Sequence, residues 1–183
     1  MTVALHITGA SGSGTTTLGR AVAARLGLTH LDTDDFYWAP VEPKFSAKRP
    51  VPERLALLDA AIAGAVPAGW VLSGSLSGWG DPLVDSFSHV VFMTTPTELR
   101  LTRLRAREAA EFGAEAVGPG GARHAEFNAF IDWAAGYDDS SFAGRSRVRH
   151  ETWLAHLPCP VLRLAGDRPL TALETETVAF LGG

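Results

Sequence analysis

The sequence is poor in three features that define large classes of protein. It contains one cysteine, Cys159, so neither an intrachain disulfide nor a cysteine-rich metal site can form. No uninterrupted apolar stretch reaches the roughly 18 to 20 residues that a membrane-spanning helix needs. The first residues lack the basic and apolar regions of a secretory signal peptide. These absences predict a cytoplasmic protein with no membrane partner.

Positive charge is also scarce. The sequence has two lysines, Lys44 and Lys48, and a formal net charge of -4. Such a chain is not expected to bind nucleic acid, and any phosphate binding must come from a local site. The length of 183 residues, with 46% hydrophobic and 20% charged residues, is typical of one globular domain. We therefore expect residues 1–183 to form a single domain, present as a monomer or a homodimer.

Short apolar runs alternate with amphipathic segments along the chain. The runs predict strands at residues 3–8, 29–31, 70–72, 89–93 and 161–164, with helices between them. The last of these helices, before the fifth strand, is predicted at residues 146–157. Two stretches, 38–52 and 113–121, are rich in proline or glycine and predict loops. Strands that alternate with helices form parallel sheets covered on both faces. The predicted fold class is therefore α/β, with helices on both sides of a parallel sheet.

A glycine-rich turn lies between the first predicted strand and the first predicted helix. It matches the pattern G-x-x-x-x-G-K-[ST] except that Thr15 occupies the lysine position. Glycines let successive amides point into one concavity, and the helix N-terminus adds partial positive charge. The turn predicts a phosphate-binding loop for a nucleoside triphosphate, rather than a turn without a ligand. Its residues are Gly9, Ala10, Ser11, Gly12, Ser13, Gly14, Thr15, Thr16 and Thr17.

Thr15 leaves this loop without the ammonium group that normally contacts the β and γ phosphates. The amide cradle does not need the lysine, so nucleotide binding is a firmer expectation than phosphoryl transfer. Another cation enters the site, or turnover is slow, or the protein binds without turnover. Arginines are the natural replacements. Three of them share one face of a predicted helix, either as an ordinary surface or as phosphate clamps: Arg100, Arg103 and Arg107.

Three carboxylates follow the second predicted strand: Asp32, Asp34 and Asp35. Ligands of open α/β sheets bind outside the carboxyl ends of the strands. A carboxylate there could accept a hydroxyl proton or hold Mg²⁺. The alternative is a solvated turn with a helix N-cap at Asp34 or Asp35. Either the core or an acceptor pocket would hold the aromatic residues that follow, Phe36, Tyr37 and Trp38.

These features together resemble the adenylate-kinase-like P-loop kinases, which include nucleoside monophosphate, shikimate, gluconate and uridine kinases. The resemblance rests on the loop 9–16, on residues 31–37 and on the arginine-rich helix before a glycine loop. It covers nearly the whole chain. It implies a P-loop NTPase fold, a three-layer α/β/α sandwich with a five-stranded parallel sheet in order 2-3-1-4-5. It also implies a helical lid, mobile by composition, at about residues 108–147.

The resemblance further implies a function and assigns roles to single residues. The chain would transfer the γ-phosphoryl group of ATP, with Mg²⁺, to a nucleotide, a nucleoside or another small acceptor. Thr16 would match the hydroxyl ligand of Mg²⁺, and Asp32 and Asp34 the acidic residues near the metal or the acceptor hydroxyl. Four arginines and a glycine complete the implied site: Arg103 and Arg107 at the start of the lid, Arg145 at its far side, and Gly166 and Arg168 in the turn that packs on adenine.

Two departures from the family pattern leave an alternative function open. Thr15 replaces lysine, and the third predicted strand ends in Ser73 where an aspartate is common. The loop with threonine resembles one found in some archaeal cytidylate kinases. The alternative is a nucleotide-binding regulatory module with little or no phosphotransfer.

A second, weaker pattern follows the third predicted strand. Ser75 is the centre of G-x-S-x-G, a pattern typical of hydrolase nucleophiles. Because the phosphate-binding loop explains the fold better, a hydrolase is not expected. The histidines show no metal-ligand spacing, and those in the predicted strands, His6, His30 and His89, are expected to be structural.

Overall fold

Five parallel strands form one sheet in the computed structural model, which describes residues 2–182. The strands are β1 (Ala4–Gly9), β2 (Thr29–Asp32), β3 (Trp70–Ser73), β4 (His89–Thr94) and β5 (Val161–Ala165). Their order across the sheet is β2-β3-β1-β4-β5, and every neighbouring pair is parallel. The predicted fold class, strand number and strand order are therefore confirmed.

Eight α-helices occur within residues 2–182, and they surround the sheet. They are α1 (Thr15–Leu26), α2 (Thr33–Tyr37), α3 (Val51–Ala65), α4 (Thr97–Phe112), α5 (Ala114–Val117), α6 (His124–Ala135), α7 (Arg147–Leu154) and α8 (Leu170–Leu181). Two 3-10 segments, Asp81–Ser86 and Gly136–Asp138, lie before β4 and after α6. None of the helices in this part of the chain has the length and apolar character needed to cross a bilayer.

Three details of the predicted elements were wrong. The short helix α5 lies inside the predicted loop 113–121. The N-cap of α2 is Asp32, whose carboxylate accepts the backbone N–H of Asp34, and not Asp34 or Asp35. The last helix before β5 ends at Leu154 rather than at 157, since the chain tightens into i→i-3 hydrogen bonds just ahead of Pro158.

The core lies on both faces of the sheet. Every residue of β1 is buried, as expected for a central parallel strand that is covered on both sides. One face packs Leu72, Val90 and Phe92 against α3 through Leu58, which is fully buried. On the other face, Leu5 and Ile7 pack with α1 and α8. This double covering fixes the strand ends, so Gly9, Asp32 and Ser73 meet at one edge of the sheet.

Candidate functional site

The glycine-rich turn lies at this edge, between β1 and α1. Gly12 has a φ of 80° and Gly14, the N-cap of α1, a φ of 98°. Both angles lie in the left-handed region that residues with a Cβ seldom adopt. At Gly12 a Cβ would also lie 2.6 Å from the carbonyl oxygen of Arg100. The turn therefore needs glycine here for its backbone conformation and for its close approach to α4.

The first turn of α1 has no capping side chain. Gly14 offers none, and the first turn contains no acidic residue. The amides that open a helix lack intrahelical partners and carry partial positive charge, which makes them suited to an anion. The backbone geometry thus fits the predicted phosphate cradle, which joins these amides to the turn.

Two oxygen-bearing side chains meet beside this turn. The hydroxyl of Thr16 donates a hydrogen bond to the carboxylate of Asp32 at 2.9 Å. The other oxygen of Asp32 accepts the N–H of Asp34 at 3.1 Å. Asp32 therefore holds the start of α2 and faces the helix that follows the glycine-rich turn. A hydroxyl beside a carboxylate is a set of hard oxygen ligands, which suits Mg²⁺.

Asp34 lies inside the cleft, open to the solvent within it but surrounded by protein. Desolvation by the surrounding protein, followed by the negative charge of Asp32, raises the pKa of Asp34 above its ordinary value. The positive charges of Arg145 and Arg107 act in the opposite direction. The pKa of Asp35 is raised as well, first by burial and then by Asp32. Asp34 is therefore a carboxylate of raised basicity on which the charges of two guanidinium groups act.

Two of the four arginines expected at the site, Arg145 and Arg103, contact the glycine-rich turn directly. Arg145 donates to the hydroxyl of Ser11, and its Nε is buried without a hydrogen-bond partner. Arg103 donates to the carbonyl of Gly166 at 3.1 Å and lies 3.5 Å from that of Ser13. Arg107 lines the same cleft but pairs with the adjacent Glu108 at 2.9 Å.

One cleft, about 1900 Å³ in volume, joins most of the predicted site. The predicted residues that line it come from four parts of the chain: Gly9, Ala10, Ser11, Gly12, Gly14, Thr15, Thr16 and Thr17; Asp32 and Asp34; Arg103 and Arg107; and Arg145. The predicted loop 38–52 also reaches the cleft through Trp38 and Phe45, and the segment after β3 reaches it through Ser75. Tyr37 packs on the core and lines the cleft, so both interpretations of that aromatic hold for it.

The remaining predicted residues lie in a smaller pocket of about 240 Å³ on another side of the turn. Ser13, Gly166 and Arg168 line this pocket, together with Thr17 and Arg103, which also face the cleft. Arg168 pairs with Glu176 at 2.7 Å at the surface. The structure thus separates the turn expected to pack on adenine from the main cleft, with the glycine-rich turn between them.

Sequence reasoning missed the role of Arg100. This side chain is fully buried and donates to the carbonyl oxygens of Ser11, Thr95 and Ala134 at 3.2 to 3.3 Å. It also pairs with Asp138 at 3.1 Å. Its spacing with Arg103 and Arg107 placed it on the right helix face, but no sequence signal distinguishes a buried member of such a face. Arg100 therefore supports the glycine-rich turn through its hydrogen bond to the carbonyl of Ser11.

The serine of the weak hydrolase pattern lies next to a histidine in the structure. The hydroxyl of Ser75 lies 3.4 Å from Nε2 of His150. The other nitrogen of His150 contacts the Tyr137 hydroxyl at 2.8 Å, so no carboxylate completes a triad. Of the histidines expected to be structural, His6 is fully buried and its Nδ1 bonds to the carbonyl of Leu72 at 3.0 Å.

Metal binding by side chains alone is not supported. Within residues 2–182 no three His, Cys, Asp or Glu side chains converge as a metal site. A cation beside Thr16 and Asp32 would need oxygens from a bound nucleotide or from water, which is how Mg²⁺ is commonly held with phosphates.

Comparison with solved structures identifies the fold. The chain matches a gluconokinase from Sinorhizobium meliloti 1021 with a TM-score of 0.55 and 17% identity, over 98% of this chain and 91% of that one. A shikimate kinase from Bacteroides thetaiotaomicron gives 0.54 and 16% over 99% of both chains. A sugar kinase from Janibacter sp. HTCC2649 gives 0.53 and 18%, over 100% of this chain and 95% of that one. The fold is that of the P-loop kinases.

Sequence comparison identifies a much nearer relative. No known family model matches the chain. The chain is 45% identical over 163 residues to a Bacillus subtilis (strain 168) protein named "Uncharacterized protein YqaC", covering 89% of this chain and 88% of that protein. At this identity and coverage, the chain belongs to the same family as YqaC.

Proposed function

We propose that this protein is an ATP-dependent small-molecule kinase. One observation carries the proposal: three features line the same cleft. They are the glycine-rich turn with the uncapped start of α1, the hydrogen-bonded pair Thr16 and Asp32, and Asp34 with its raised pKa. Kinases of unrelated acceptors share this fold, as the gluconate and shikimate kinases show, so the fold alone does not name an acceptor.

The cleft residues divide the work of phosphoryl transfer among them. The amides of residues 9–17 would hold the phosphates of ATP, and Thr16 and Asp32 would hold Mg²⁺. Bound Mg²⁺ contributes neutralisation of charge on the phosphate oxygens. The acceptor oxygen bonds to the γ-phosphorus, the bond from that phosphorus to the β–γ bridging oxygen breaks, and ADP leaves. Asp34 receives the proton of the acceptor hydroxyl, for which its raised pKa suits it.

Arg145 supplies the positive charge that Thr15 lacks. It contacts Ser11 in the phosphate loop, and its Nε has no partner within residues 2–182. Arg103 and Arg107 assist from α4, although Arg103 is engaged by backbone carbonyls and Arg107 by Glu108. A bidentate guanidinium matches phosphate geometry better than an ammonium group does, so the replacement is chemically adequate.

Incubation with ATP, Mg²⁺ and a panel of nucleotides, nucleosides and sugar acids tests the proposal. ADP formation that depends on one acceptor class is expected. Absence of ADP above background with every acceptor would contradict a kinase and favour the alternative, a nucleotide-binding regulatory module.

Removing the guanidinium of Arg145, with and without a lysine introduced at position 15, tests the role of Arg145. Arg145→Ala is expected to lower kcat about 100-fold or more, and the double variant Thr15→Lys/Arg145→Ala to regain part of that loss. Arg105→Ala, which removes an exposed arginine of α4 outside the cleft, is the matched control. Equal activity of Arg145→Ala and the control would remove Arg145 from the mechanism. If the wild type shows no kinase activity and the single variant Thr15→Lys does, the absence of a lysine at position 15 prevents phosphoryl transfer.

A further inference from the structure

Three polar side chains from distant segments form a hydrogen-bonded row beside the cleft. The Tyr137 hydroxyl lies 2.8 Å from Nδ1 of His150, and Nε2 of His150 lies 3.4 Å from the Ser75 hydroxyl. Tyr137 is 5% exposed and His150 2%, whereas Ser75 is partly open at the cleft. The row leads from the protein interior to the cleft, and none of its members has a role in the phosphoryl transfer described above.

Both buried members of the row are neutral at pH 7. Burial, with the positive charge of Arg145 as a second cause, lowers the pKa of His150 to about 3. Burial raises the pKa of Tyr137 to about 12. A neutral imidazole donates from one ring nitrogen and accepts at the other, so the row has a direction.

The hydroxyl proton of Tyr137 determines the direction in which the hydrogen bonds of the row are donated. Within residues 2–182, Nδ1 of His150 is the one acceptor that this buried hydroxyl contacts. If Nδ1 carried the imidazole proton, the phenol proton would be buried without an acceptor, which is unfavourable. Tyr137 therefore donates to Nδ1, and the proton of His150 lies on Nε2.

This tautomer determines what the Ser75 hydroxyl can do. Nε2–H of His150 donates to the Ser75 oxygen, and the backbone N–H of Ser77 points to the same oxygen at 3.3 Å. The hydroxyl proton of Ser75 is consequently left to donate towards the cleft. The same tautomer excludes a nucleophilic role, because a serine hydrolase needs an unprotonated imidazole nitrogen facing the serine.

We propose that Ser75 is a specificity-determining hydrogen-bond donor to the phosphoryl acceptor, with His150 and Tyr137 as its positioning residues. This inference rests on the proposed kinase function. Ser75 lies two residues beyond Ser73, which pairs in register with Asp32, and it lines the same cleft as Asp34. The acceptor atom that meets Ser75 is an oxygen with a free lone pair, in a hydroxyl, carbonyl, carboxylate or phosphate group. An ammonium group does not fit there.

Steady-state kinetics with the acceptor found in the panel test this role. Ser75→Ala is expected to raise the KM for the acceptor about tenfold while the KM for ATP stays within about twofold. Tyr137→Phe frees both tautomers of His150 and is expected to raise the acceptor KM about threefold, with no further increase when combined with Ser75→Ala. Ser140→Ala, which removes an exposed serine hydroxyl outside the cleft, is the matched control. An unchanged acceptor KM in Ser75→Ala, or additive effects in the double variant, would overturn the proposal.

The tautomer can be measured without any kinase activity. Nitrogen-15 NMR, with the His150 signals assigned by their loss in His150→Gln, is expected to show a neutral ring protonated at Nε2 between about pH 5 and pH 8. A ring protonated at Nδ1, or labelling of Ser75 by a fluorophosphonate probe, would overturn the inference. If the wild type phosphorylates no acceptor, the kinase proposal fails by itself, and the NMR result still decides whether Ser75 is a donor.

Discussion

The phosphate loop differs from the acceptor side of the cleft in the groups that form it. The acceptor side is formed by the side chains of Asp34, Ser75 and His150. The loop is one continuous stretch between β1 and α1, and the proposed phosphate site consists of its backbone amides. The acceptor side gathers side chains from α2, the segment after β3, and α7. A backbone site depends on a local pattern of glycines, whereas a side-chain site depends on which distant segments the fold brings together. Changes on the two sides should therefore differ in size and kind.

The largest expected effect tests whether the buried guanidinium of Arg100 supports the phosphate loop. Arg100→Met would leave the carbonyls of Ser11, Thr95 and Ala134 and the carboxylate of Asp138 without a buried donor. We expect the free energy of unfolding in urea to fall by about 3 kcal/mol.

The matched control for Arg100 lies on the same helix. Arg105→Met alters an exposed arginine of α4 and is expected to change the free energy of unfolding by about 0.5 kcal/mol or less. Equal losses for the two variants would show that the loop does not depend on the buried guanidinium.

A smaller effect separates loop conformation from general stability. Gly12→Ala places a Cβ in the left-handed region and against the carbonyl of Arg100, so ATP binding measured by calorimetry should weaken about 10- to 100-fold. Gly27→Ala is the control, since Gly27 has a φ of 66° but no atom within 4 Å of an added Cβ. It should lose stability and keep its affinity for ATP. Equal loss of affinity in both variants would contradict a phosphate site at residues 9–17.

His6, a fully buried residue of β1, gives a pH-dependent effect whose size grows as the pH falls. Burial lowers its pKa to about 4 from an ordinary 6.5, so below pH 6.5 the unfolded chain binds a proton that the folded chain refuses. The free energy of unfolding should therefore fall as the pH decreases from 6.5 to 4, by about 1.4 kcal/mol per pH unit from this residue. Urea unfolding across this range measures the slope.

The variant His6→Asn assigns that slope. Asparagine keeps a donor for the carbonyl of Leu72 but does not titrate, so it should reduce the slope and leave the part that the likewise buried His150 contributes. His156→Asn changes an exposed histidine and should leave the slope as it is. A slope unchanged in His6→Asn would show that His6 is not buried as a neutral ring.

The smallest expected effect concerns the pocket beyond the loop. Arg168→Ala breaks a surface ion pair with Glu176 and should change the free energy of unfolding by about 0.5 kcal/mol or less. Affinity for ATP should fall about threefold at most, measured by the same calorimetry. Arg25→Ala, which breaks the similarly exposed pair with Glu174, is the control for stability. A loss of affinity as large as that of Gly12→Ala would make this pocket the main nucleotide contact.

The strands and most helices follow from the hydrophobic pattern, because a sheet covered on both faces needs continuous apolar runs such as residues 3–8. The order of the strands came from the resemblance, since periodicity does not encode which strands pair. The N-cap at Asp32 and the helix α5 were not predicted, because each depends on hydrogen bonds whose geometry the letters leave open. The members of the row from Tyr137 to Ser75 lie up to 75 positions apart in the sequence and carry no local pattern.

The arginines of α4 show which properties the sequence determines by itself and which depend on the tertiary structure. The spacing of Arg100, Arg103 and Arg107 by itself placed them on one helix face. Only the packing of α4 against the phosphate loop makes Arg100 a fully buried support, joins Arg103 to the carbonyl of Gly166 and leaves Arg107 in the cleft. The glycine-rich turn could be recognised from its letters because its function lies in local backbone geometry. The roles of these charged side chains could not, since they depend on what distant segments bring to them.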